Sequence, residues 1–539
     1  MSGSEREPAA EEPLASSGAA VPARSGRTSL STILRGGAWQ TAGQFIPIAV
    51  NLALTPYIIH GLGVDRYGLY MYIASLGAFI GSFDGGLNIS TQRFFSIFAG
   101  RDDRVETTRL LTTLIGLVGA IGVAITVVLW FLAPPLTELL NMPHQLHSEA
   151  IFMVRTMGAI VGTALIRNIP VAVLIARQRY LLINANTVGN HGVYVIGLIL
   201  TVQNHWGLQG VALTLIAQQV VSTVVLLPQT MKGLSRKGIS LYSRKELREF
   251  LSYSGKVQIT GIAALILTEL DGLLLGAVLP IRYVAIYSAG ASFATQLRRV
   301  PSNAVSPMLT TLGHRFGREG EAGLMDEFRR LQKVWVVGIV GWCAVGTGAT
   351  LFALDAWLGS TFRNSGIVGA VAMIGSLAYM LPAVMNAALS VAGRPGLEAR
   401  FSVVMVVVNV GLTIPLVFTG PIGVAAATAA GQIAASIYLM RIVRRRWRPD
   451  APSFFSDVPV VPALVSLVVV LGAELALHPV VPEGPAGLLL CAVPAAIGLA
   501  LYARLVLGAK PAEAVRRALG REKSAPPQAY SAEAESSVD

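Results

Sequence analysis

Arginine and carboxylate side chains interrupt several long apolar segments of this 539-residue chain. The charged residues inside these segments are Arg155, Arg167, Arg298, Arg299, Asp84, Glu269, Asp271 and Glu474. A charge in the middle of a bilayer costs about 3 kcal/mol on insertion scales, so it usually faces a partner or water. Arginine presents a planar fork that binds phosphate, and a buried acid can exchange a proton or pair with that arginine. The pattern therefore predicts either an anion-binding cavity or a set of Arg–carboxylate pairs that only join helices.

Polar residues recur at helical spacing in three of the same segments, so each set shares one helix face. These sets are Gln40, Gln44, Asn51 and Thr55; Asp84, Asn88, Thr91 and Gln92; and Ser288, Ser292, Gln296, Arg299, Asn303 and Ser306. A polar stripe on one spanning helix can simply join helices. Three striped helices favour an aqueous cavity. The predicted cavity residues are Arg155, Arg167, Arg298, Arg299, Gln40, Gln44, Asn51, Asn88, Gln296 and Asn303.

The segments that carry these residues read as membrane-spanning helices. Mean hydropathy is +0.60 and only 13% of the residues are charged, which excludes an ordinary soluble fold. The apolar stretches reach the length of about 20 residues that a spanning helix needs, and they lack the alternation of a barrel strand. We predict an all-α polytopic membrane protein with about fourteen spans. The spans lie near 36–59, 68–90, 110–133, 150–175, 181–202, 208–230, 257–279, 284–307, 334–356, 366–391, 401–419, 422–440, 458–477 and 485–507.

Lys and Arg residues predict the orientation of these spans, because they favour the cytoplasmic side of short loops. With the N-terminus inside, the inner loops hold 25 such residues and the outer loops hold three. Both termini are therefore predicted to be cytoplasmic, with disordered tails at 1–32 and 509–539. The basic linker 234–256 suits anionic lipid headgroups, and Ser243 with Glu246 has the spacing of a capping box that starts a short surface helix. We predict that these basic residues interact with membrane lipids and not with nucleic acid.

Two blocks about 215 residues apart carry the same short residue patterns in the same order, which indicates an internal repeat. Arg66-Tyr67 recurs as Arg282-Tyr283, and Gly210-Val211-Ala212 recurs as Gly423-Val424-Ala425. Each block has six predicted helices, an even number, so both copies would have the same orientation around a central cavity. We predict an N-lobe at 33–233, a C-lobe at 257–445 and two further spans at 446–508.

Three segments resemble a known family of transporters. They are Gly61–Tyr70 (GLGVDRYGLY), Phe83–Leu87 (FDGGL) with Arg93 after it, and Glu269–Gly276 (ELDGLLLG) with Tyr287 further on. They resemble the polysaccharide flippases of the multidrug/oligosaccharidyl-lipid/polysaccharide exporter superfamily, and the resemblance spans roughly residues 33–445. It identifies Asp84, Arg93 and Asp271 as motif positions without fixing their roles.

The resemblance implies a bacterial plasma-membrane protein that exports an undecaprenyl-diphosphate-linked oligosaccharide by alternating access. Polysaccharide polymerases and glycosyltransferases are the partners that it implies. No cofactor is predicted, and a proton gradient, a sodium gradient or the membrane potential would drive export. Glu269 and Asp271 are the candidates for coupling to an ion.

Other functions remain open at this point. A membrane glycan polymerase or acyltransferase would need a large outer loop or a clustered acid/base site, and neither is visible in the sequence. A small-molecule exporter of the same superfamily usually has twelve helices, and a scaffold needs no cavity. Cys343 and Cys491 lie in apolar stretches and the seven histidines lack ligand spacing, so no metal site and no catalytic residue are predicted.

Overall fold

The computed structural model describes residues 50–81, 87–140, 142–232, 234–235, 238–446 and 458–508. Gln40, Gln44, Asp84 and both predicted tails lie outside these residues. The helices are α1 (Val50–Leu62), α2 (Val64–Gly81), α3 (Leu87–Gly100), α4 (Arg104–Leu139), α5 (His147–Ala176), α6 (Tyr180–Gln203), α7 (Gly207–Met231), α8 (Arg244–Val278), α9 (Arg282–Ser302), α10 (Val305–Leu358), α11 (Arg363–Met380), α12 (Ala383–Val391), α13 (Pro395–Leu416), α14 (Pro421–Arg446), α15 (Val460–Leu477) and α16 (Pro485–Leu507).

The all-helical prediction is confirmed, because the described ranges contain helices, turns and no strand. Within the described residues, each of the fourteen predicted spans overlaps one helix or two consecutive helices. Nine helical segments in the described ranges are long and apolar enough to cross a membrane. The chain is therefore a multi-pass membrane protein.

The two predicted lobes have the same packing order. In the N-terminal set α4 packs on α5, α5 on α7, and α6 on α7. In the C-terminal set α10 packs on α11, α11 on α14, and α13 on α14. The two additional helices, α15 and α16, pack on each other and on α10. The two sets therefore share the order of their helix contacts, and the parallel orientation of the two copies stays a prediction.

The connection between α9 and α10 differs from the prediction. The segment after residue 307 was expected to be a loop, but α10 begins at Val305 and continues to Leu358. A backbone kink at Gly320, where φ is +66°, divides this long helix. Charged residues near the kink pair along the helix, including Arg315 with Glu319, which stabilises a polar helix outside the apolar span. Because α9 ends at Ser302, Asn303 lies in the turn and does not extend the polar stripe.

The linker between the lobes is fixed to the N-terminal set. The capping box of Ser243 and Glu246 is confirmed, but the helix that it starts is not a separate surface helix, because α8 continues to Val278. Glu246 also accepts two hydrogen bonds from Arg109 of α4, at 2.9 and 3.0 Å. The Phe250 ring is buried and lies 5.3 Å from the Phe94 ring of α3. The first turns of α8 therefore move with α3 and α4.

We predict that the contact between Arg109 and Glu246 slows exchange of the linker backbone. Arg109→Gln and Glu246→Gln each remove one charge, and glutamine at position 246 can still form a capping box. Each variant should speed hydrogen exchange over residues 242–250 by about two- to fivefold, the effect of a partly exposed ion pair. The double variant should exchange no faster than either single variant. Additive effects in the double variant would show that the two side chains act separately.

Candidate functional site

A cavity of about 490 Å³ lies between α2 of the N-terminal set and four helices of the C-terminal set. Polar residues are spread along its wall, as the stripe on α9 predicts. The polar lining residues are Ser75, Glu269, Tyr287, Ser288, Ser292, Thr295, Gln296, Arg298, Arg299, Ser376, Thr428 and Gln432. The cavity therefore contains four predicted residues: Glu269, Gln296, Arg298 and Arg299.

The two cavity arginines have no carboxylate partner among the described residues. The Arg298 guanidinium lies over the Tyr379 ring, 5.3 Å from its centroid. The Arg299 Nη1 donates a hydrogen bond of 3.1 Å to Gln296 Oε1. Arg–carboxylate pairing between helices therefore does not account for these two residues. Two neighbouring guanidinium groups, one of them on an aromatic face, are a chemistry that suits an anion.

Glu269 and Asp271 of α8 face different sides, as their separation of two residues predicts. Glu269 lines the cavity and interacts with Ser75 of α2 across the lobe boundary. Asp271 lies behind the cavity wall with 1% of its surface exposed. The two motif acids are therefore in different environments, and only Glu269 can meet a molecule in the cavity.

Asp271 is the centre of an oxygen-rich group that we call the Asp271 cluster (Asp271, Tyr287, Asn409, Thr413 and Thr428). Its carboxylate accepts hydrogen bonds from Tyr287 Oη at 2.8 Å, from Thr413 Oγ1 at 3.4 Å and from Thr428 Oγ1. The Asn409 Nδ2 donates to Thr428 Oγ1 at 2.8 Å, and the buried Asn409 Oδ1 has no hydrogen-bond partner.

Carboxylate, amide and hydroxyl oxygens are the donors that hard cations such as Na⁺ prefer, and the same carboxylate can take a proton. The described residues contain no group of three His, Cys, Asp or Glu side chains that could hold a metal. The cluster connects α8, α9, α13 and α14. A bound cation or proton would therefore change the contacts among four helices of the C-terminal set.

Two predicted cavity arginines lie elsewhere. The Arg155 guanidinium stacks on the Trp130 ring at 4.9 Å, and its Nε donates to the Trp130 carbonyl at 3.3 Å. Trp130 of α4 is 51% exposed, so the Arg155 side chain that stacks on it lies at the periphery of the N-terminal set. Arg167 donates weakly to Asn168 at 3.4 Å, away from the main cavity. Helical spacing defined a polar position on α5, but it could not tell which neighbour that position would meet.

The other described candidates are also outside the main cavity. Asn51 is exposed on α1, and Asn303 lies in the turn after α9. Asn88 accepts a hydrogen bond of 2.8 Å from Gln92 and borders a small gap next to Asn168. The guanidinium of Arg93 lies 5.6 Å from the centroid of the neighbouring Phe94 ring.

Next to the cavity, α2 packs closely on α8 and on the turn before α9, in a contact that we call the lobe seam (Gly68, Tyr72, Gly276 and Ile281). A Cβ on Gly68 of α2 would lie 2.5 Å from the Ile281 carbonyl oxygen, and one on Gly276 of α8 would lie 2.4 Å from the Tyr72 ring. Only glycine permits such close approach. The turns that begin α2 and α9 are at this contact, which lies on the predicted outer side.

We predict that a methyl group at Gly68 opens the lobe seam. In an Ala78→Cys background, which places a thiol on the cavity wall, Gly68→Ala should speed labelling by a membrane-impermeant maleimide about threefold or more from the seam side. Gly116→Ala is the matched control, because a Cβ there meets no atom within 4 Å. An unchanged labelling rate in Gly68→Ala, or an equal increase in Gly116→Ala, would show that the seam is not a gate.

Several members of the Asp271 cluster were not found from the sequence. Asn409 and Thr413 are four residues apart and share a face of α13, which is a detectable signal. Thr428 lies on α14, and it is separated from Asp271 by 157 residues. Nothing in the local spacing indicates that these residues meet Asp271.

Comparison with known proteins agrees with the family resemblance seen in the sequence. Residues 100–316 match the model of a family described as "Polysaccharide biosynthesis protein". A Shigella flexneri protein named "Putative O-antigen transporter" is 20% identical over 375 residues, which is 68% of this chain and 87% of that protein. The resemblance to polysaccharide flippases is thereby confirmed.

Solved structures with the same fold cover most of the chain. The lipid II flippase MurJ in an inward closed conformation superposes with a TM-score of 0.68 at 14% identity, covering 90% of this chain and all of that one. The chain has the fold of the MurJ and MATE transporters. An inward-facing multidrug-resistance MATE transporter superposes with a TM-score of 0.64 at 16% identity, covering 74% of this chain and 93% of that one. These names agree with the prediction of a transporter rather than an enzyme.

Proposed function

We propose that this protein flips a polyprenyl-diphosphate-linked oligosaccharide across a bacterial plasma membrane by alternating access. The observation that carries the proposal is the pair Arg298 and Arg299, which line a cavity between the lobes and have no carboxylate partner among the described residues. A diphosphate carries about two negative charges, and guanidinium groups bind phosphate oxygens in a bidentate manner. The match to a polysaccharide biosynthesis family over residues 100–316 favours a glycan on that diphosphate.

An apolar groove beside the cavity suits the lipid part of such a substrate. Its volume is about 270 Å³, and its walls come mainly from α9, α10 and α16. Gln296 borders both the polar cavity and this groove. A molecule with its charged headgroup at Arg298 could therefore keep its prenyl chain among apolar side chains. This arrangement favours an amphipathic lipid over a small polar solute.

The membrane potential supports outward movement of the substrate. One charge moved through 100 mV gains about 2.3 kcal/mol, so a diphosphate with two charges gains about 4–5 kcal/mol. The charge of the loops supports cytoplasmic termini, and this orientation is part of the proposal. The lobe seam then lies on the outer side, so headgroup loading would take place from the cytoplasmic side.

The Asp271 cluster is the proposed site of ion coupling. A sodium ion or a proton at the Asp271 carboxylate would neutralise a buried charge and draw in the unpaired Asn409 Oδ1. Tyr287 and Thr428 both contact Asp271 and line the cavity, so a change in the cluster reaches the cavity wall directly. Polysaccharide polymerases and glycosyltransferases are the proposed neighbours in the membrane.

The test is transfer of a labelled polyprenyl-diphosphate sugar between leaflets of vesicles that contain the purified protein. We expect transfer that requires the protein and that increases with a potential directed to drive anions outward. A matched polyprenol without the diphosphate should not be transferred. Failure of transfer under every imposed gradient, together with export of small cationic drugs, would favour a small-molecule exporter instead.

A further inference from the structure

A second polar cavity lies at the end of the two helices that have no counterpart in the repeat. Its volume is about 190 Å³, and it is bounded by the C-terminal ends of α10 and α15 and the start of α16. The turn before α16 is fixed to α10 by a hydrogen bond of 2.8 Å from Gly484 N to the Ala356 carbonyl. This cavity is separate from the cavity at Arg298, since the two have no lining residue in common.

Acidic side chains dominate this second cavity. Asp355, Glu474 and Glu483 line it, and no Lys or Arg does so among the described residues. The only basic group is His478, whose Nε2 lies 2.9 Å from Asp355 Oδ2. Asp355 is paired with this imidazole, which leaves Glu474 and Glu483 as acidic groups without a basic partner among the described residues, and two such groups favour a ligand that donates N–H bonds.

The buried Glu474 carboxylate interacts with the Cys491 thiol and still has one oxygen without a partner. The residue is 1% exposed, and its Oε1 has no hydrogen-bond partner. A buried carboxylate oxygen without a donor costs free energy, because nothing replaces the water that it gave up. The Glu483 carboxylate also lines the cavity, and it lies close to Gly359.

The lining favours an organic cation over a metal ion. The described residues do not provide three metal-ligating side chains in a suitable arrangement. Phe352 also lines the cavity, with its ring 5.8 Å from the His478 ring, and an aromatic ring attracts an ammonium group. An ammonium also has three N–H donors, which can reach separate carboxylates.

We infer that the cavity formed by Asp355, Glu474, Glu483 and Phe352 is a binding site for a primary ammonium group. Its ligand is the amine of a lipid headgroup such as phosphatidylethanolamine or a soluble alkylamine. The position at the ends of three helices agrees with the level of lipid headgroups. The bound ammonium would stabilise α15 and α16 against α10, and it is independent of the substrate bound at Arg298.

The experiment uses the full-length protein in nanodiscs of anionic lipid without amine headgroups. Ethanolamine should bind saturably and raise the thermal unfolding midpoint, whereas ethylene glycol, sodium and magnesium at matched ionic strength should not. Glu474→Gln and Glu483→Gln should each weaken ethanolamine binding about tenfold or more, since each removes a charged acceptor. Glu483 is exposed, so its variant tests the site without disturbing the core. Asp326→Asn, which removes an exposed carboxylate elsewhere on α10, is the matched control.

Native mass spectrometry of protein extracted from mixed lipids distinguishes the two sources of the amine. Selective retention of phosphatidylethanolamine over phosphatidylglycerol, lost in Glu474→Gln, would assign the site to a lipid headgroup. Ethanolamine binding without such retention would assign it to a soluble amine. Absence of saturable ethanolamine binding and of lipid selectivity, or equal binding by wild type and both variants, would overturn the inference. The flipping assay does not enter this test, so the two proposals can fail separately.

Discussion

Replacing Arg298 and Arg299 together by glutamine is expected to lower the rate of transfer of a polyprenyl-diphosphate sugar by at least about a hundredfold. Hydrogen bonds to a charged group contribute about 1.5–3 kcal/mol each, and the double variant removes at least two of them. Leaflet transfer in vesicles measures the effect. No described carboxylate pairs with either arginine, so this loss would not come from breaking an ion pair in the protein.

Two controls make this prediction specific. Arg155→Gln removes another arginine from a spanning helix, but this arginine lies on Trp130 outside the cavity, so transfer should stay within about twofold of wild type. Lysine at positions 298 and 299 keeps the positive charge but lacks the planar guanidinium group. The double lysine variant should therefore transfer the substrate faster than the double glutamine variant and more slowly than wild type. Equal losses in the Arg155 variant and the double variant would indicate a general effect of removing intramembrane charge.

Asp271→Asn is expected to remove the dependence of transport on an imposed ion gradient. Asparagine has nearly the same shape but carries no charge and takes no proton, so the cluster would be fixed in one state. A coupling free energy of about 1–3 kcal/mol corresponds to a loss of about 5- to 150-fold in gradient-driven transfer. Transfer should be measured with a sodium gradient, with a pH gradient and with neither.

The second acid of α8 provides the comparison for this prediction. Glu269→Gln changes a cavity residue outside the Asp271 cluster, so it should alter substrate binding while gradient dependence remains. Thr413→Val removes one hydroxyl of the cluster and should weaken the sodium response without abolishing folding. If Asp271→Asn keeps the full gradient response, the ion is coupled at a site other than the Asp271 cluster.

Much of the fold could be predicted from the sequence, because apolar length and loop charge are local properties. In the described residues each predicted span has a helical counterpart, and Gln296 and Arg299 of the stripe on α9 line the cavity together with Arg298, which was predicted from its charge. The helical period also separated Glu269 from Asp271. These predictions succeed because a helix fixes which residues share a face.

The remaining features depend on contacts between distant segments. Arg155 was expected in the cavity, but its face of α5 meets Trp130 at the surface. The Asp271 cluster joins residues that are separated by 142 and 157 positions, so no local spacing could indicate it. The lobe seam likewise depends on Gly68 meeting Ile281. Packing, rather than helical periodicity, determines these features.

The most direct test of the proposed mechanism is the affinity of the purified protein for undecaprenyl diphosphate compared with undecaprenol. Both ligands share the prenyl chain, so their difference isolates recognition of the charged headgroup. We predict that wild type binds the diphosphate at least about a hundredfold more tightly and that Arg298→Gln with Arg299→Gln removes most of this difference. Equal affinity of wild type for the two lipids, or a difference that persists without both arginines, would contradict a cationic cavity that carries the headgroup.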